Sequence, residues 1–184
     1  MKLRQAQSRR DWCDIKKLYK AAFPFNEKKP FWLIKSKYEK GQADVWVIEK
    51  EDTFAGMAIT MNGDDLVLLD YFAVCADKRG GGIGGEALKA LQEKYSDRRF
   101  FLEIESVDKP SSKLPERLRR KKFYLANGMQ ELGVNVKLFG VDMELLGYNG
   151  KVSFEEYRNL YFTAYGNWAA WNVVYRCKVH RISR

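Results

Sequence analysis

Arg79-Gly80-Gly81-Gly82-Ile83-Gly84-Gly85 is the stretch of this sequence whose composition and spacing could do chemistry. So many glycines let backbone N–H groups approach an anion without Cβ obstruction. A helix opening behind them adds orphan donors and the positive end of its dipole. A diphosphate is the ligand such a loop suits, and a flexible glycine turn is the bland alternative. The other reactive groups are the phenol of Tyr124, the carboxylates Asp70, Glu103 and Glu105, and the thiol of Cys75. Cys75 could carry an acyl group, but no histidine stands near it in sequence to activate it, so a passive role is expected. The single histidine, His180, and the lack of a CxxC pair argue against zinc, and no metal is expected. A Ser-His-Asp hydrolase is disfavoured because that histidine stands five residues from the C-terminus.

Two phosphate motifs compete for the glycine run. Gly80 to Gly85 satisfies G-x-G-x-x-G, and Glu103 or Glu105 stands about 20 residues on, where a dinucleotide fold places its ribose-binding acid. Against that reading, Cys75 to Arg79 separate the preceding strand from the first glycine, and that strand follows two helices and a meander rather than opening a sheet. About 100 residues remain after the loop, too few for the rest of that fold with a substrate domain. No GK[ST] is present, which excludes a P-loop.

Taking Arg79 into the motif gives Arg79-Gly80-Gly81-Gly82-Ile83-Gly84, which fits R/Q-x-x-G-x-G/A and resembles the acyl-CoA-binding signature of the Gcn5-related N-acetyltransferases. Leu69 to Val74 resembles that family's fourth strand. Arg119 to Met129 resembles its later R-x-x-F-Y-x-x-x-G-F helix, with Met129 in place of the usual aromatic. The match covers roughly residues 1–147. It implies an α/β (α+β) fold with a mixed, mostly antiparallel central sheet flanked by helices and split between strands 4 and 5. It also implies acetyl-CoA as co-substrate. Its diphosphate would meet the amides of Gly80, Gly81, Gly82, Ile83, Gly84 and Gly85 beside Arg79. Its pantetheine arm would pair with Phe72, Ala73 and Val74, and the Val74 N–H would polarise the thioester carbonyl. Arg120 and its basic neighbours would face the 3′-phosphate, unless they are simply a wet helix face.

In the same way the resemblance assigns Tyr124 as general acid. The base is left among Glu105, Glu103 and Asp70, with Glu105 narrowly preferred and Glu103 also able to clamp substrate. Phe25, Phe31 and Trp32 would wall the acceptor site, or would merely staple two helices to the core. The reaction is direct attack of a primary amine, from a small molecule or a protein, on the thioester. The alternatives are a CoA-binding sensor or interaction module without turnover, and less favourably a dinucleotide-binding protein.

These groups need a scaffold, and the sequence supplies its pattern. Trp12, Ile15, Tyr19 and Ala22 recur at helical steps over residues 11–23 behind Ser8 as cap. Residues 31–38 form a second helix that Gly41 ends. Residues 45–49, 54–61 and 66–74 read as an antiparallel meander with hairpins at Lys50-Glu51-Asp52 and Asn62-Gly63-Asp64. Ile83, Ala87, Leu91 and Tyr95 mark one buried helix face, and residues 99–106 form a strand. Pro115 starts a helix with Leu114, Leu118 and Leu125 inward, closed at Asn127-Gly128. Two strands around Phe139-Gly140, a helix over 154–164 and a last strand over 171–179 complete the reading. Residues 1–147 form the acetyltransferase core domain, and 148–184 a C-terminal extension packed on it.

At 184 residues with 46% hydrophobic and 31% charged content, the chain can bury a sizeable core without disulfides. No apolar run reaches membrane-span length. Three cysteines without framework spacing and no signal-peptide core point to a reducing compartment, and the expected location is cytoplasmic. The net charge of +9 gathers in Lys113 to Lys122 and in the acid-free stretch from Gly166 to Arg184. Two short clusters do not make a nucleic-acid face, so neither a nucleic-acid nor a membrane partner is expected. The aromatic residues Tyr157, Tyr161, Phe162, Tyr165, Trp168 and Trp171 could pair two copies as a homodimer.

Overall fold

Ser8 caps the first helix: its hydroxyl accepts from the Asp11 N–H, and the Asp11 carboxylate accepts from the Ser8 N–H in return. The structure, a computed structural model, describes residues 1–176. These pack as two compact units that meet in sequence between Phe100 and Phe101. The first contains β1 (Lys2–Gln5), α1 (Arg9–Ala22), α2 (Phe31–Glu39), β2 (Ala43–Lys50), β3 (Thr53–Asn62), β4 (Leu66–Val74) and α3 (Ile83–Lys94). β5 (Arg99–Glu105) spans the boundary. The second continues with α4 (Leu114–Ala126), β6 (Gln130–Leu138), β7 (Val141–Tyr148), α5 (Phe154–Tyr165), α6 (Asn167–Trp171) and β8 (Val173–Tyr175). The fold is mixed α/β with mostly antiparallel strands and flanking helices, as expected.

In the first unit the strands run in the order β1-β2-β3-β4, each pair antiparallel. Lys50 pairs with Thr53 across a two-residue turn in which Glu51 and Asp52 both take positive φ, 52° and 56°. That is the twist a tight hairpin demands, met here without glycine. Asn62-Gly63 does not work that way, because Gly63 is not left-handed. Its turn is wider and is closed by Gly63 N–H to the Leu66 carbonyl at 2.8 Å, with the Arg98 guanidinium donating to both the Gly63 and Leu66 carbonyls. The α3 face expected to be buried is buried at Ile83, Ala87, Leu91 and Tyr95. Arg4 makes two 2.8 Å bonds to Asp11 and one to Glu49, tying β1 to α1 and β2.

In the second unit the order is β5-β7-β6-β8. The β6–β7 register slips between Glu131 and Asn135 around left-handed Gly133, a bulge. The expectation for α4 is corrected. Leu114 is partly covered, but Leu118 and Leu125 face solvent, and Arg117, Lys121 and Tyr124, spaced i, i+4 and i+7, are covered in their place. Ion pairs make that possible: Arg117 meets Glu105 at 2.6 Å, and Lys121 meets Glu144 at 2.7 Å and Glu131 at 2.9 Å. A helix so rich in cations can bury its paired stems while leaving leucines wet, which is a modest cost. Gly128 takes φ +88° and closes α4 as expected. Of the last expected strand, Val173–Tyr175 forms; Lys178, Val179, His180, Arg181 and Arg184 lie outside the described residues. Tyr157 and Tyr161 are interior rather than surface residues, so only the remainder of the aromatic set is available to a partner. Among the described residues no helix is long and apolar enough to cross a membrane.

Candidate functional site

β4 runs to Val74 and delivers the chain to a short 3-10 turn, Ala76–Lys78, and then to Arg79 through Gly82, where α3 begins. What fixes this junction is a small core beneath it. Ile83 and Ala87 of α3 pack with Ile48 of β2 and Ala55 of β3, and Phe72 and Val74, two apart on β4, pack against that cluster. The helix start is therefore anchored while the loop above it stays open. Gly80 and Gly82 take φ +87° and +78°, and Gly82 is the N-cap. Glycine holds this conformation without the steric penalty of a side chain.

The first helical bond runs from the Glu86 N–H to the Gly82 carbonyl at 3.1 Å. Among the described residues no protein acceptor takes the N–H groups of Gly80, Gly81, Gly82, Ile83, Gly84 or Gly85. A row of unclaimed donors at the positive end of a 12-residue helix is an anion cradle. A Cβ added at Gly81 would meet nothing within 4 Å. Arg79 is exposed, and its Nε donates to the Val74 carbonyl at 3.1 Å, which holds the guanidinium beside the loop. Glu86, in the first turn of α3, is the local counter-charge, and the Met1 ammonium at 3.4 Å and Lys50 at 4.0 Å offset it.

Cys75 N–H donates to the Ala55 carbonyl at 2.8 Å, and Val74 pairs with Gly56 in the same register. Alternation then turns the Val74 N–H to the edge of β4 away from β3, as it does that of Phe72. The Cys75 thiol is pushed up by burial, and Asp77 adds to that, so it stays protonated at neutral pH.

Asp70, on β4, forms a 2.5 Å ion pair with Lys29 and its side chain is buried. The neighbouring Tyr71 hydroxyl donates to the Glu27 carbonyl at 2.9 Å and accepts from the Lys29 N–H, while the Tyr19 hydroxyl donates to the Lys29 carbonyl. Together these clasp the segment between α1 and α2 against β4. Within and after that segment Phe31 packs on Trp12 and Tyr19, whereas Phe25 and Trp32 are 90% and 71% exposed. Phe31 thus staples the two helices to the core, and Phe25 and Trp32 do not. Sequence reasoning missed the clasp, because its bonds join residues 42 and 44 positions apart and leave no local pattern.

In the second unit Tyr124 is buried, and burial pushes its phenol up to about 12. Glu105 is held by Arg117, and Glu103 accepts from the hydroxyls of Tyr157 and Tyr161, the latter at 2.7 Å. The two tyrosines lie more than fifty residues from Glu103 and carry no local signal of that contact. Arg120 pairs with Glu116 one turn back. Among the described residues of α4, Arg119 and Lys122 are exposed and make no ion pair.

Comparison with known proteins places these observations. The model of the acetyltransferase (GNAT) family matches residues 12–119. YjbC of Bacillus subtilis is 29% identical over 97 residues, half of each chain, so this chain spans about half the length of that relative. A GNAT-family structure from Bacteroides thetaiotaomicron superposes with a TM-score of 0.77 at 18% identity, covering 91% of this chain and 99% of that one. The spermidine N-acetyltransferase of Vibrio cholerae, solved with CoA and spermine, gives 0.63 at 12% identity over 80% and 94%. The ribosomal-protein-alanine N-acetyltransferase of Brucella melitensis gives 0.61 at 20% identity over 80% and 99%.

Proposed function

The chain belongs to the acetyltransferase (GNAT) family, and from that premise we propose that it transfers an acetyl group from acetyl-CoA to a primary amine by direct attack. The observation that carries the reading is the row of unclaimed N–H groups from Gly80 to Gly85 at the start of α3. Those groups suit a diphosphate, and the Arg79 guanidinium adds charge beside them. The pantetheine arm would lie along β4 at Phe72, Ala73 and Val74 and pair there as an added strand would. The Val74 N–H is the donor that would polarise the thioester carbonyl. Exposed Arg119 and Lys122, with Arg120, are the cations for the 3′-phosphate.

The amine nitrogen forms a bond to the carbonyl carbon, the carbon–sulfur bond breaks, the amine gives up one proton and the departing thiolate gains one. Tyr124 is the donor to sulfur by its place in the Phe123-Tyr124 motif. With its phenol near 12 it acts by sharing a hydrogen bond more than by releasing its proton outright. Glu105 remains the proposed base, acting through water from beside Arg117, with Glu103 and Asp70 as further members of the acidic set. Phe25 and Trp32 provide an apolar wall for the acceptor.

One observation favours a second reading, a CoA-binding module without turnover: Asp70, Glu103 and Glu105 are each already engaged by a partner. Both readings are tested by isothermal titration with acetyl-CoA and by thiol release in the presence of spermidine, free amino acids and peptides with alanine N-termini. Binding with turnover of any amine supports the enzyme, and binding without turnover supports the module. Absence of acetyl-CoA binding overturns both.

A further inference from the structure

In the first unit β4 carries one extra residue. Ile59 of β3 pairs with Tyr71 and Thr60 with Leu69, which makes Asp70 the added residue of a bulge. Strict alternation would put Asp70 on the face of Phe72 and Val74, which pack on the core beneath α3. The bulge turns it instead toward the segment between α1 and α2. There its side chain is 2% exposed and meets Lys29 at 2.5 Å. The Lys29 ammonium also lies 5.4 Å from the centre of the Tyr71 ring. A buried carboxylate beside an aromatic face is the chemistry of an ammonium site.

The Lys29 side chain is not what holds its own segment. The Tyr71 hydroxyl donates to the Glu27 carbonyl and accepts from the Lys29 N–H, and the Tyr19 hydroxyl donates to the Lys29 carbonyl. These bonds fix the backbone of residues 27–29, while the Lys29 ammonium ends a flexible stem and its side chain is 18% exposed. The ammonium can therefore leave Asp70 with the segment still in place. Only another cation can succeed it, since a neutral group would strand the buried carboxylate.

Position says which cation. With the diphosphate at Gly80 to Gly85 and the thioester carbonyl at the Val74 N–H, the arm enters from the loop and points back along β4 toward Asp70. Asp70 stands four residues from Val74, about 12 Å at the rise of a strand. An ammonium at Asp70 is then too far away to be the attacking amine, and it belongs to a second place on the same acceptor.

We propose that Asp70 and the Tyr71 ring bind a second cationic nitrogen of the amine acceptor, and that Lys29 fills this subsite until the acceptor displaces it. The substrate class is a diamine or longer polycation with nitrogens roughly 10 Å apart, not a monoamine. This assignment rests on the acetyltransferase reading, and it gives Asp70 a binding role in place of a proton-accepting one.

The test compares diaminoheptane with heptylamine, of the same chain length but without the second charge, by thiol release from acetyl-CoA, after calorimetry has measured acetyl-CoA binding. In the parent the diamine should show the lower KM by about fivefold, because its ammonium only replaces another. Lys29→Met removes the competitor and should lower the diamine's KM by a further factor of about ten, with a much smaller change for heptylamine. Asp70→Asn should bring the two amines to the same KM. Lys29→Arg keeps the charge and grips the carboxylate with a planar fork, so it should raise the diamine's KM about tenfold. That variant decides the matter should Lys29→Met fail to fold. A merely structural ion pair would move both amines together in every variant. Acetyl-CoA binding with equal KM values in the parent, with shifts shared by both amines, or with neither amine acetylated overturns the subsite and leaves the cofactor site standing. Failure to bind acetyl-CoA overturns the acetyltransferase reading itself, and the subsite with it.

Discussion

Gly81 and Gly82 stand next to each other in the loop, yet substitution should act on them through different physics. At Gly81 an added Cβ meets no protein atom within 4 Å and the backbone is not left-handed. Gly81→Ala should therefore leave folding stability within about 0.5 kcal/mol of the parent. Its methyl would stand where the anion approaches, so acetyl-CoA affinity should fall by about tenfold, or 1.4 kcal/mol. Gly82→Ala differs, because φ of +78° costs an alanine about 1–2 kcal/mol in folding before any ligand arrives. Urea denaturation and calorimetric titration of both variants check this, and equal effects on stability would remove the distinction. Tyr124→Phe makes the complementary case, since it should slow turnover by about 10²-fold or more while acetyl-CoA affinity holds. Because its phenol is pushed up to about 12, Tyr124 remains protonated through the working range. Any fall in rate below about pH 10 then reports another group. That alkaline limb should keep its midpoint in Tyr124→Phe, which pH–rate profiles of the two proteins would show.

At the scale of elements, β3 and β4 approach closely where the proposed pantetheine strand ends. A Cβ on Gly56 would lie 2.5 Å from the Ala73 carbonyl oxygen and 3.2 Å from the Val74 Cα, both backbone atoms that cannot swing aside. Gly56→Ala should cost about 1–3 kcal/mol of folding stability, measured by urea denaturation. It should also weaken acetyl-CoA binding, because the displaced residues are Ala73 and Val74. A parent-like stability would mean that β3 yields at small cost. The meander, the glycine loop and the α3 face were legible in the sequence because each is a local pattern: period two, a glycine cluster, period four. What escaped depends on partners distant in the chain. Leu118 and Leu125 of α4 read as part of an inward stripe, yet Arg117 and Lys121 take that place because Glu105, Glu131 and Glu144 on strands wait to pair with them. Tyr71 was legible only as part of a strand, and its hydroxyl proves to clasp residues 27–29. In the candidate site the loop donors were legible and the engagement of each carboxylate was not, since pairings such as Lys29–Asp70 leave no mark in spacing.

For the molecule as a whole, the acid limb of stability follows from carboxylates held in ion pairs, and each unit has one. Hydrogen bonds from Arg4 hold the Asp11 carboxyl well below the usual carboxylate range, against the opposing effect of burial. Asp142 is lowered too, chiefly by its bond to Lys109, with Arg176 adding. An aspartate in the unfolded chain titrates near 3.9, so above about that pH both contributions are fully present. They are lost as pH falls through the lower folded values, where the unfolded state binds more protons than the folded one. The net charge of +9 sharpens the same limb, because every protonated carboxylate adds to self-repulsion. Asp11→Asn separates the two causes. It should lower stability at pH 7 by roughly 1–3 kcal/mol, the value of charge-assisted bonds to a mostly buried group. Between about pH 4 and pH 2 its stability should then fall less steeply than the parent's, since the Asp11 share is already gone. Added salt should flatten the part due to net charge in both proteins, because exposed charges are screened within about 10 Å at 0.1 M. It should leave the Asp11 difference nearly intact, since that side chain is only 8% exposed. Urea midpoints across a pH series at two salt concentrations read all of this, and parallel acid limbs for parent and variant would take the Arg4–Asp11 pair out of the account.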